Sequence, residues 1–167
     1  MSTNNSSGRT ETLSTAQLAM LINNAAGFFE AARRASQFVP SGVPGQFVAP
    51  LPAAIVCLAF CTELLLKALI EVGGSPAPEW HQLPQLFEKL DDVTKKRIER
   101  KLGLSTNETK EMMNDIGSPF VEWRYWHETT GKNIQINFDK LKKLAIALSS
   151  DLTERTNIPG ITATFAW

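Results

Sequence analysis

The stretch that decides the fold is "LPAAIVCLAFCTELLLKALI", from Leu51 to Ile70. It has the length of a membrane-spanning helix, but it carries Glu63 and Lys67, and charged residues are rare within membrane spans. A helix that is apolar nearly all round is also typical of the centre of a helical bundle. The stretch therefore predicts a buried central helix, from about Pro52 to Val72, and no membrane association.

Apolar residues recur at three- and four-residue steps over most of the remaining chain, which predicts further helices. No alternation typical of strands is sustained, and the Pro-rich segment from Val39 to Pro52 cannot be helical. We therefore predict an all-α, four-to-five-helix bundle with short extra helices. The first predicted helix starts near Ser14 or Thr15 and ends near Phe38, and a short helix runs from about Pro84 to Leu90. The next helix follows a cap at Asp91 or Asp92, and another opens at Thr106 or Asn107, with an interruption at Gly117 and Pro119. The last predicted helix runs from Asn137 or Phe138 to Arg155.

The chain of 167 residues has the size of one domain. Residues 1–13 are polar and are predicted to form a disordered lead-in. Residues 14–156 are predicted to form the helical bundle, and residues 157–167 an apolar tail that docks on the body or on a partner chain. Cys57 and Cys61 are expected to be buried and reduced, which favours a cytoplasmic location.

Charge patterning excludes a global attraction to polyanions, because 17 Lys and Arg balance 17 Asp and Glu. A site for nucleic acid must therefore be local, or must arise from pairing two copies. The charged segment from Asp91 to Leu102 contains a basic cluster, which predicts a solvated helix face, with an RNA-contacting surface as the alternative. It also contains an apolar stripe, which is predicted to face inward. The cluster is Lys95, Lys96, Arg97, Arg100 and Lys101, and the stripe is Val93, Ile98 and Leu102.

The segment "FVEWRYWHE", Phe120 to Glu128, contains the candidate catalytic residues Arg124 and His127. Three residues apart on a helix, they lie about 60° from each other and share a face. Such a pair suits phosphodiester cleavage, since the His can transfer a proton near neutral pH and the guanidinium can bind phosphate oxygens. The alternative is that both residues pack in the core and satisfy buried carboxylates.

Glu63 is predicted to be buried, and burial of a carboxylate is costly unless the charge is paired. The expected partner is either Lys67, one helical turn later, or Arg124 on another helix. His81 is interpreted as structural, either capping a helix or contacting a neighbouring one. No metal-ligand spacing and no Gly-rich phosphate loop is present, so neither a metal nor a cofactor is expected.

Three elements in this order, "TELLLKALIEVGG", "HQLPQLFEKL" and "WRYWHE", resemble the HEPN domains of prokaryotes. The resemblance implies a four-helix bundle of HEPN type with extra short helices. It also implies metal-independent cleavage of RNA by an Arg and a His that a homodimer brings together. Arg124 and His127 match that pair, although only two residues separate them and Tyr125 stands where a polar residue often follows the Arg.

Two functions follow from the resemblance. The first is a cytoplasmic, dimeric endoribonuclease of phage defence or toxin-antitoxin biology, with an antitoxin or nucleotidyltransferase as a further partner. Its supporting residues would be Glu63, Lys67, Tyr125 and Glu128. The second is a non-catalytic HEPN-fold module that binds a partner or senses a ligand, for which the aromatic residues around Arg124 offer stacking surfaces.

Overall fold

The computed structural model describes residues 11–48, 51–117 and 137–157, together with residues 165 and 167. Six helices account for most of these residues and form an all-α bundle, which confirms the predicted fold class. The helices are α1 (Thr15–Ala35), α2 (Leu51–Val72), α3 (Leu83–Glu88), α4 (Asp92–Leu102), α5 (Thr106–Ile116) and α6 (Phe138–Arg155).

Helix α2 is the centre of the bundle, as its composition predicts. Thirteen of its residues are buried, because α1 packs along it and α6 contacts it as well. Within the described ranges α2 is the one helix long and apolar enough to cross a membrane, a test of length and composition alone, and 67% of that stretch is buried inside the fold. Its apolar character is thus accounted for by packing against other helices.

Four helices begin at side-chain caps that the sequence predicts closely. Ser14 and Ser105 form capping boxes with Gln17 and Glu108, so each satisfies backbone N–H groups that the first turn leaves without partners. The other two caps are Asp91 for α4 and Asn137 for α6. Helix α5 ends at Gly117, whose φ of 60° few other residues adopt readily.

The Pro-rich segment contains a hairpin that the sequence did not predict. Strands β1 (Val39–Pro40) and β2 (Phe47–Val48) pair in antiparallel fashion, with Val39 opposite Val48. Helix α1 ends at Ala35, three residues before the predicted end near Phe38, because the chain turns there towards the hairpin. Phe38 consequently lies outside the helix with 76% of its surface exposed.

Helix α4 docks on α6 through charge at Arg97, which corrects the prediction of a solvated basic face there, whereas Lys96 and Arg100 are exposed as predicted. Asp151 on α6 is fully buried, and Nε of Arg97 lies 3.0 Å from its Oδ1, close enough for an ion pair but not aligned as a hydrogen bond. Burial raises the pKa of the Asp151 carboxyl, more than Arg97 and Arg155 lower it. Lys95 and Lys101 are also paired, with Glu88 and Glu154.

The predicted apolar stripe of α4 is wrong at Val93. That side chain is 65% exposed, whereas Ile98 is fully buried and Leu102 is partly buried. The contacts with α6 fix the rotation of α4, and this rotation places Thr94 inside the fold in place of its neighbour.

The C-terminal tail docks on the body at its two described residues. Phe165 and Trp167 both make edge-to-face contacts with Phe29 of α1, at centroid distances of 5.3 and 5.4 Å. Trp167 also contacts Phe138, and Lys142 Nζ lies 5.3 Å from the centroid of its ring. Of the two docking places that the sequence left open, these residues use the body of the same chain.

Candidate functional site

Glu63 is the centre of the polar cluster that the described residues form inside the bundle. It lies on α2 and is 3% exposed, and burial of a carboxylate is costly unless the group is paired. Lys67, one turn later on the same face, donates from Nζ to Oε1 of Glu63 at 2.8 Å. Of the two partners that the sequence predicts for Glu63, the structure thus contains Lys67.

His81 is a second partner of Glu63; its predicted contact with a neighbouring helix is confirmed, although the sequence did not indicate Glu63 as the partner. Its Nδ1 lies 2.9 Å from the same oxygen, Oε1. Because a carboxylate only accepts hydrogen bonds, Nδ1 carries the proton in this contact. The imidazole is therefore oriented by a buried carboxylate while 54% of its side chain remains exposed. This is an arrangement suited to proton transfer.

The loop from Gly73 to Gln82 brings His81 back to α2. Glu71, also on α2 and buried, accepts a hydrogen bond from the backbone N–H of Ala77 at 2.6 Å. This contact folds the loop along the helix, so His81 reaches Glu63 although 18 residues separate them. The sequence does contain a signal for this contact. Glu71 is a second carboxylate near the end of the apolar helix, and once buried it needs hydrogen-bond donors from the next segment.

The two oxygens of Glu63 are used unequally. Among the described residues, Lys67 and His81 both contact Oε1, whereas Oε2 is buried and has no hydrogen-bond partner. A carboxylate has capacity for several donors, so Oε2 can still accept one. Within the described part of the chain, the cluster of Glu63, Lys67 and His81 therefore has one unused acceptor, Oε2 of Glu63.

Four predicted site residues, Arg124, Tyr125, His127 and Glu128, lie outside the described residues, as does the alternative bridge from Glu63 to Arg124. Their roles stay predictions. Among the residues that are described, no group of three or more His, Cys, Asp or Glu side chains could hold a metal ion.

The cysteines are unsuited to a reactive role. Cys61 is buried in the core and Cys57 is partly buried, and both are free thiols. Burial raises the pKa of both thiols, so neither readily forms the thiolate that reacts as a nucleophile. The prediction of reduced, structural cysteines agrees with this environment.

Comparisons of the chain with protein-family models, with curated proteins and with solved structures found no match in any of the three. The resemblance to HEPN domains therefore stays a prediction that depends on the three sequence motifs.

Proposed function

We propose that this chain is a HEPN-type helical protein that cleaves RNA without a metal ion, as a cytoplasmic homodimer in phage defence or toxin-antitoxin biology. One observation carries the proposal. Glu63 and Lys67 come from the first of the three motifs and His81 comes from the second, and these side chains meet on one carboxylate oxygen. Motifs separated along the chain thus form a single polar cluster, as parts of a functional site would.

The same cluster bears on the role of Arg124. The alternative to a catalytic role of Arg124 is a structural bridge to Glu63, because a buried carboxylate needs a cation. Lys67 already supplies that cation at 2.8 Å. Lys67 can therefore balance the charge of Glu63, and in the proposed reaction the guanidinium of Arg124 binds a phosphate group.

In that reaction the ribose 2′-hydroxyl attacks the adjacent phosphorus, and the P–O bond to the 5′-oxygen of the next nucleotide breaks. His127 accepts the proton of the 2′-hydroxyl, and Arg124 binds the phosphate oxygens, on which negative charge increases. The leaving 5′-oxygen takes up a proton, which gives a 2′,3′-cyclic phosphate and a 5′-hydroxyl end. The reaction needs neither an oxidant nor a reductant.

The test is an RNA cleavage assay in the presence of EDTA with wild type, Arg124→Ala and His127→Ala. Loss of a proton-transfer group or of a phosphate ligand should lower the rate at least about 100-fold. Arg34→Ala is the matched control, because Arg34 is an exposed arginine of α1 that pairs with Glu30 at the surface and belongs to no predicted site. Melting curves establish that each variant is folded, and intact RNA at high wild-type concentration would refute the proposal.

The second candidate, a non-catalytic interaction module, is favoured by apolar side chains at and beside the hairpin. Phe38, Val43 and Leu51 are 76%, 51% and 46% exposed. Large exposed apolar side chains close together are typical of contact surfaces. On this proposal wild type cleaves no RNA, and Phe38→Ser converts a dimer to a monomer or releases an antitoxin or nucleotidyltransferase partner, as light scattering would measure.

A further inference from the structure

A groove of about 570 Å³ lies between α3 and α5. Trp80 borders it, α3 contributes residues such as Phe87 and Lys89, and α5 contributes residues such as Lys110 and Met113. The volume is within the range of small-molecule sites. Trp80, at its border, directly precedes His81 in the chain.

Trp80 offers the groove a flat aromatic surface. Its side chain is 41% exposed, although tryptophans are mostly buried in folded proteins. Nζ of Lys89 lies 5.8 Å from the centroid of the ring, a cation–π contact that holds a positive charge beside the indole. An exposed indole next to a cation is the combination with which proteins stack the bases of single-stranded nucleic acids.

The groove also has a surplus of positive charge. Lys89 and Lys110 are both exposed, and neither takes part in an ion pair with the described residues. The one acidic residue among its described lining, Glu88, is neutralised by Lys95, whose Nζ lies 3.1 Å from Oε2. In a chain of zero net charge this is a local site for an anion.

We infer that this groove binds one nucleotide of a single-stranded RNA, with the base stacked on Trp80 and the phosphate near Lys89 and Lys110. The inference rests on the proposed function for its choice of RNA, while the groove itself rests on its own aromatic and basic residues. On this proposal the strand passes Trp80, the chain neighbour of His81. The groove is then the substrate-positioning part of the site, and Trp80, Lys89 and Lys110 are its positioning residues.

The experiment measures binding of a short, labelled, 2′-O-methylated single-stranded RNA by fluorescence anisotropy. This probe lacks the free 2′-hydroxyl, so it cannot be cleaved by the proposed reaction. Loss of base stacking in Trp80→Leu should raise Kd about tenfold. Loss of one phosphate contact in Lys110→Gln should lower the slope of log Kd against log salt by about 0.7.

Matched controls keep the inference falsifiable. Lys143→Gln removes an exposed lysine of α6, and Met20→Leu changes an exposed apolar side chain of α1. Both should bind RNA like wild type. Lys110 lies exposed on α5, so Lys110→Gln reports on the groove even if Trp80→Leu is unstable.

The outcomes separate the inference from the proposed function. RNA binding that depends on Trp80 and Lys110, without any cleavage of ordinary RNA, supports the groove and refutes the endoribonuclease. Cleavage combined with wild-type binding by both groove variants overturns the inference alone. Absence of RNA binding, or binding of a free mononucleotide as tight as that of the RNA, also overturns it.

Discussion

Glu63 concentrates two hydrogen bonds from cationic or protonatable groups on one oxygen. Only 15% of the Lys67 side chain is exposed, so the charge of Lys67 depends on this carboxylate more than the charge of a surface lysine depends on a partner. Removal of one member of such a pair leaves the other without compensation. The residue thus stabilises the fold and also orients the His81 imidazole.

We predict that Glu63→Ala lowers the free energy of unfolding by about 3 kcal/mol, because Lys67 would stay largely buried without its counterion. Urea unfolding followed by circular dichroism measures this loss. Glu154→Ala is the control, since it removes an ion pair to Lys101 in which the Glu154 side chain is 61% exposed, and its effect should be far smaller. Equal losses in the two variants would contradict a stabilising role of the buried pair.

The sequence allowed one of the two partners of Glu63 to be predicted. Lys67 lies four residues later on the same helix, and helical geometry alone brings it to Glu63. His81 comes from a loop whose path depends on the contact between Glu71 and Ala77, and such a contact cannot be inferred from helical spacing. The local half of the cluster was predictable, and the half that depends on tertiary contacts was not.

Helix α4 is connected to α6 through its own N-cap. Asp91 accepts hydrogen bonds from the backbone N–H and the hydroxyl of Thr94, at 2.8 and 2.6 Å. Nη1 of Arg155, the last residue of α6, donates to the same hydroxyl at 2.8 Å. The cap therefore fixes the start of one helix and the end of another.

We predict that Asp91→Ala costs about 1 kcal/mol at pH 7, the usual effect of losing a helix cap. The hydrogen bonds from Thr94 lower the pKa of Asp91, so its stabilising effect is present above the unfolded value of 3.8. The effect disappears as the pH falls through the lower pKa of the folded state. The difference between wild type and variant in urea unfolding should therefore shrink below pH 3.8.

Ser14→Ala is the control for this pH dependence. Ser14 caps α1 through a capping box with Gln17, and neither side chain titrates. Its substitution should cost a similar amount at every pH. A loss for Asp91→Ala that stays constant down to the acid limit would contradict the role of the ionised carboxylate.

The starts of helices were predictable because caps are local, as at Ser14, Asp91, Ser105 and Asn137. The rotation of α4 was not, because it depends on Asp151, which lies on α6 and draws Arg97 towards the core. For the same reason Val93 is exposed although its sequence position predicted burial.

At the scale of the molecule, the tail closes the bundle. Phe165 packs against the core and meets Phe29, whose own ring is 1% exposed, while Trp167 bridges α1 and the start of α6. These aromatic contacts join segments that are far apart in the chain. The tail is thus part of the folded unit at these two positions.

We predict that Phe165→Ala lowers the free energy of unfolding by about 2 kcal/mol, because a partly buried ring and its edge-to-face contact are lost. Thermal and urea unfolding measure the change. Phe38→Ala removes a ring that is 76% exposed and should leave stability nearly unchanged. A Phe165 variant as stable as wild type would show that the tail contributes no packing energy.

The all-α class was predictable because apolar periodicity specifies helices wherever they pack. The homodimeric site proposed above cannot be predicted in this way, because residues of different chains carry no common spacing. Arg124 and His127 therefore depend on the cleavage assay for their role.

Glu71 has a practical consequence for where a shortened chain can begin. Its Oε2 accepts the backbone N–H of Leu13 at 2.8 Å, so the folded body includes a residue before the first helical turn. A truncation that removes Leu13 would delete one of the donors that offset the burial of this carboxylate, and it would do so without touching any helix. A shortened chain should therefore start no later than Leu13, and fusions are best joined upstream of it.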